Sequence, residues 1–131
     1  MTRSIYTVQK SGNLFFLNAS VAKLDEEPRI LRLLVDTGAS QTSLSKVLLL
    51  ELGYAWSDTT SNASILTGNG LIQAPIVQVD WFHCLGQPLQ NLPVLALDLP
   101  ISSYINGILG MDVLLRFKAV IDVGKRQIIL P

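Results

Sequence analysis

The run Leu33-Leu34-Val35-Asp36-Thr37-Gly38-Ala39-Ser40 carries one carboxylate out of an apolar stretch into a turn of small and hydroxylated residues. The aliphatic residues before Asp36 predict a buried strand that ends at the acid, where a fixed carboxyl group can serve as general acid or base. Gly38 permits close backbone approach or a positive φ. The Thr37 hydroxyl can donate to one neighbour and accept from another. Ala39 and Ser40 leave the floor beside the carboxylate open. Taken alone, the same run also suits an Asp that caps its own turn. The chain has one such run. An acid/base pair built from it therefore needs a second copy of the chain.

A second element changes the balance. Asn106-Gly107-Ile108-Leu109-Gly110-Met111-Asp112-Val113-Leu114 reads as an apolar-apolar-Gly segment that opens a helix, about seventy residues after Asp36. Between the two, Ile65-Leu66-Thr67, Gly68-Asn69-Gly70 and Leu71 to Val79 predict a β-hairpin with a glycine tip. Other chemistry is thinly supplied. His83 and Cys84 are adjacent, so on a strand they point to opposite faces and cannot form a dyad. His83 is the sole histidine and no serine lies in a nucleophile turn. One His and one Cys make zinc improbable, and no metal or cofactor is expected. Gly68-Asn69-Gly70 lacks the spacing and following lysine of a phosphate loop. Asp80, Asp98 and Asp122 sit near strand ends, where turn or surface roles suffice. Asp112 falls in a first helical turn, which favours an acid. Trp56 and Trp81 read as packing residues.

The elements that must position Asp36 are mostly strands, separated by Gly, Pro, Asn and Asp. Strands are predicted over Ser4 to Gln9, Leu14 to Leu24, Arg29 to Val35, Trp81 to Leu85, Leu92 to Leu97, Ala119 to Asp122 and Gln127 to Leu130. The third is apolar on both faces near its end, as a strand entering the core should be. Helices are predicted over Ser45 to Leu52, stopped by Gly53, and from near Gly110 through Phe117. Ser57 to Ser64 reads as a loop. Many short strands around one core suggest a closed, barrel-like or sandwich β domain.

The 131 residues suit a single domain, 1–131, and 49% of them are apolar, which supports a packed core. Ten basic and ten acidic residues cancel, so no field draws nucleic acid or an anionic membrane. Cys84 is the one cysteine; no intrachain disulfide is possible and secretion is not suggested. The first residues are too short and polar a run for a signal peptide. Aliphatic runs such as Val47 to Leu50 fall far short of a membrane span. A soluble, cytoplasmic protein is the expectation.

Together, Val35-Asp36-Thr37-Gly38-Ala39-Ser40 and Ile108-Leu109-Gly110-Met111-Asp112-Val113-Leu114, with the glycine hairpin between them, resemble a retropepsin-type aspartic protease. The likeness is to the single-domain cellular and bacterial members and covers Leu31 to Leu130. It implies a mostly β, closed barrel-like fold with one or two short helices, acting as a homodimeric endopeptidase on protein or peptide. Asp36 would be the catalytic aspartate, Thr37 the residue that locks the two active-site turns together, and Gly38 the glycine beside the substrate backbone. Ala39 and Ile108 would line the substrate floor. Leu66, Thr67, Gly68, Asn69 and Gly70 would form the flap. Leu109-Gly110 would support the active-site turn from below. The likeness departs from viral members in its longer helix after the turn and in apolar Met111, where those carry a basic residue. The chain termini could interleave between subunits. A non-catalytic peptide-binding or assembly module on the same fold is the alternative, because fold does not fix function.

Overall fold

A computed structural model describes residues 2–57, 60–67, 70–99 and 104–131, with Thr67 described by its backbone. Among them the chain forms β1 (Ser4–Thr7), β2 (Gln9–Ser11), β3 (Leu14–Ala22), β4 (Arg29–Val35), β5 (Ser43–Ser45) and α1 (Lys46–Glu51). There follow β6 (Asn62–Thr67), β7 (Gly70–Cys84), β8 (Gln87–Leu97), β9 (Gly107–Leu109), α2 (Met111–Arg116), β10 (Val120–Asp122) and β11 (Gln127–Leu130). The fold is mostly β with two short helices. Among the described residues no helix is long and apolar enough to cross a membrane.

Strands β3, β4, β9, β5, β8 and β7 are hydrogen-bonded in that order, and β7 returns to pair with β3. That last pairing, Ala19 with Cys84 through Ala22 with Trp81, closes the sheet into a barrel. Alternate residues of these strands point inward. Val21, Leu31, Leu33, Leu44, Val79, Phe82, Val94 and Leu109 fill the interior with almost no exposure. Cys84 is buried on the inward face of β7, and burial pushes its thiol up to about 12. Its neighbour His83 faces outward and stacks on Trp81, ring centroids 5.5 Å apart.

Several predicted boundaries move. The Ser4 to Gln9 strand divides at Val8, whose N–H donates to the Arg126 carbonyl; β1 joins the C-terminal strands and β2 joins the barrel. Strand β7 runs unbroken through Asp80. Its polar side chain is tolerated because Leu24 N–H donates to Asp80 Oδ2 at 2.6 Å and Asp80 N–H donates to the Tyr54 hydroxyl at 2.9 Å. Asn62 to Ser64, read as loop, pairs with Gln73 to Pro75 as part of β6. Helix α1 is capped by Ser45, which accepts from Leu48 N–H, and its C-cap Leu52 is followed by Gly53 with φ 96°. Within one chain the terminal strands form a three-stranded sheet whose edge strands are β1 and β10. Strand β11 lies between β1 and β10 of its own chain, so both its edges are filled.

Candidate active site

Asp36 follows the last residue of β4, at the point where β4 runs parallel to β9 and pairs Val35 with Leu109. Asp36 N–H continues that ladder by donating to the Leu109 carbonyl at 3.0 Å. The chain then turns sharply. Gly38 N–H donates to Asp36 Oδ1 at 2.8 Å and Ala39 N–H donates to the Asp36 carbonyl at 3.2 Å. The carboxylate is thereby oriented by its own turn, half-buried, with one oxygen held by a backbone donor. A side chain on Gly38 would crowd that oxygen, since a Cβ there lies 3.2 Å from it. Thr37 is exposed beside the turn.

The apolar-apolar-Gly segment supports this turn from beneath. Leu109 is fully buried. Met111 N–H donates to the Ala39 carbonyl at 2.8 Å. Gly110 passes so close to the loop that a Cβ would fall 2.7–2.9 Å from backbone atoms of Gln41 and Thr42. Only glycine fits there, because backbone cannot swing aside as a side-chain tip can. Gly107 is equally confined, against the Ser43 carbonyl and Leu44.

Sequence reasoning did not find Thr42. It is fully buried, its hydroxyl accepts from Gly110 N–H at 3.0 Å, and it donates to Asp112 Oδ1 at 2.7 Å. Asp112 also accepts from Thr42 N–H at 3.0 Å. The acid read as a helix-end residue is thus a clamp between α2 and the loop after Asp36. The residue types gave a weak signal, since a Thr and an Asp tens of residues apart are unremarkable until folded. Strand β5 was missed for a related reason. Ser43–Ser45 is short and partly polar, and is strand because it pairs with β8 on one side and β9 on the other.

Asp36 opens onto a cleft of about 490 Å³. Gly38, Ala39, Ser40, Gln41 and Ser43 form its floor, Leu95, Leu97 and Ile108 one wall, and Ala63 to Leu66 of β6 the other. The fold therefore brings Asp36, Gly38, Ala39, Leu66 and Ile108 to one place. Gly70 opens β7 with φ 105°, paired with Thr67 across the hairpin. Gly68 and Asn69, expected at the tip, lie outside the described residues. Leu66 and Leu71 on the hairpin are 79% and 74% exposed, apolar surface with no cover in a single chain.

The family model described as aspartyl protease matches residues 21–113, from β3 into α2. A retropepsin-like aspartic protease from Rickettsia conorii superposes on 98% of this chain and 92% of its own, with TM-score 0.70 and 25% identity. EIAV protease, solved with the inhibitor HBY-793, superposes on 82% of this chain and 90% of its own, with TM-score 0.60 and 21% identity, a likeness of fold. No curated protein sequence matches the chain.

Proposed function

The chain belongs to the aspartyl protease family, an aspartic-type endopeptidase by that membership, and we propose that its working form is a homodimer pairing Asp36 from two copies. The observation that carries this reading is the single Asp36 per chain, held by its own turn at the mouth of a cleft that faces the β6–β7 hairpin. One carboxyl group cannot be ionised to take the proton of water and protonated to hold the carbonyl oxygen in the same step. Two brought together by a twofold axis can.

Two carboxyl groups that close share one proton, because ionising both sets like charges side by side. The ionised Asp36 takes a proton from a bound water as the water attacks the scissile carbonyl. The protonated Asp36 hydrogen-bonds the carbonyl oxygen; the proton taken from water then passes to the amine nitrogen as the C–N bond breaks, and the pair is left holding one proton. No acyl-enzyme forms. Gly38 N–H keeps the carboxylate plane fixed throughout, and the Thr37 hydroxyls tie the two turns together. Ala39 contacts the peptide from the floor and Ile108 from the wall beside it. Leu66, Thr67, Gly68, Asn69 and Gly70 close over it, exclude water and add strand-like hydrogen bonds. The sole, free and buried Cys84 suits a cytoplasmic setting.

The test is cleavage of apolar peptides by the native chain and by Asp36→Asn. Replacing the acid is expected to lower kcat by about a thousandfold, within the range that positioned acid/base groups contribute. Equal activity would sink the assignment. A dimer that binds peptide in its cleft and never cuts it would make the chain a binding module.

A further inference from the structure

Asp36 is the one ionisable side chain among the described residues lining the cleft; the rest are aliphatic residues, small residues, three serines and Gln41. Lys46 and Asp98, which follow lining strands β5 and β8, pair with each other at 3.3 Å and leave little net charge at that end. Gln41 donates from its amide nitrogen to the Pro93 carbonyl at 3.5 Å, which sets the side chain against β8. Its neighbour Thr42 is locked in place, so the backbone that presents Gln41 is fixed.

This lining treats peptide side chains unequally. Neutral amides and hydroxyls can exchange hydrogen bonds with serine and glutamine. A carboxylate laid there would give up water and meet no cation, and the singly charged Asp36 pair would repel it. Lysine and arginine escape the same penalty, since their long stems return the charge to solvent.

We propose that the cleft excludes acidic side chains from the part of the peptide lying over Ser40 and Gln41, and that Gln41 sets this exclusion. The inference rests on the endopeptidase reading above and names its substrate class: peptides neutral or basic, not acidic, along that stretch.

The experiment uses a fluorogenic decapeptide of apolar and neutral polar residues, with Glu placed at each position in turn and matched by Gln at the same position. Cleavage is measured on the native chain and binding on Asp36→Asn. At one or two positions the Glu peptide should have kcat/KM about a hundredfold below its Gln partner and bind correspondingly more weakly. The gap should narrow as pH falls through about 4.3, where a glutamate side chain takes up its proton. Gln41→Lys should shrink the Gln-over-Glu ratio about tenfold or more by supplying the missing cation; Ser40→Lys serves if the first variant folds poorly. Equal handling of Glu and Gln at every position, or a ratio that neither lysine variant moves, overturns the proposal. If the native chain cuts nothing that Asp36→Asn leaves intact, the endopeptidase reading fails, and the binding ratio still decides the selectivity.

Discussion

Thr42 and Asp112, 70 residues apart, are joined by two hydrogen bonds to one carboxylate oxygen, from the Thr42 N–H at 3.0 Å and from its hydroxyl at 2.7 Å. The same hydroxyl accepts from Gly110 N–H. Three backbone segments thereby share one buried oxygen: the loop after Asp36, the end of β9 and the start of α2.

Thr42→Val keeps the volume and removes that oxygen. It leaves Gly110 N–H without a partner in a buried place and strips a donor from Asp112. A loss of about 1–3 kcal/mol is expected from such an orphaned group. Urea denaturation should show it, with a lower midpoint and an unchanged slope. Thr42→Ser should retain most of the stability, because the hydroxyl survives.

Gly110→Ala tests the close approach of the support to the loop. The added methyl must push on Gln41 and Thr42 backbone, which carry the cleft floor. Destabilisation of about 1–3 kcal/mol is expected from overpacking. Peptide cleavage should fall further than the folded fraction does, since the displaced backbone positions the Asp36 turn.

Alkaline pH should weaken the fold through Cys84. Burial raises its thiol from 9.0 to about 12 in the folded chain. Above pH 9 the unfolded thiol loses its proton while the folded one keeps it, so the unfolded state binds fewer protons and stability drops as pH rises toward 12. The loss by pH 10 is roughly 1 kcal/mol. Tyr54, raised mainly by burial, shifts in the same direction. Cys84→Ala should therefore flatten most of the decline and leave a smaller one. Thermal melts from pH 8 to 10 measure it.

A site made from two chains is lost on dilution. Specific activity should rise with chain concentration and then level off as the dimer saturates. Progress curves over a dilution series would show that curvature, whereas a one-chain site gives a flat line.

The parts of the site that were readable in sequence are those written locally. Asp36-Thr37-Gly38 and Ile108-Leu109-Gly110 combine apolar strand ends with glycines, of which Gly110 has no room for a larger residue and Gly38 little. The unread parts depend on distant partners. Thr42 acquires meaning from Asp112, β5 from β8 and β9, and the continuity of β7 through Asp80 from Leu24 and Tyr54. The split at Val8 follows from the pairing of β1 with β11, which no local pattern in Ser4 to Gln9 announces. Propensity describes a segment, whereas these features are set by what the barrel brings beside it.

The central claim is that each active site takes one Asp36 from each of two chains. Co-refolding native chain with increasing fractions of Asp36→Asn and measuring peptide cleavage tests it directly. If both carboxylates are needed, activity follows the square of the native fraction and falls to about one quarter when half of the chains carry Asn, as for random pairing in a twofold dimer. A linear decline, with half of the activity left at that point, would show that one Asp36 suffices and would contradict the account.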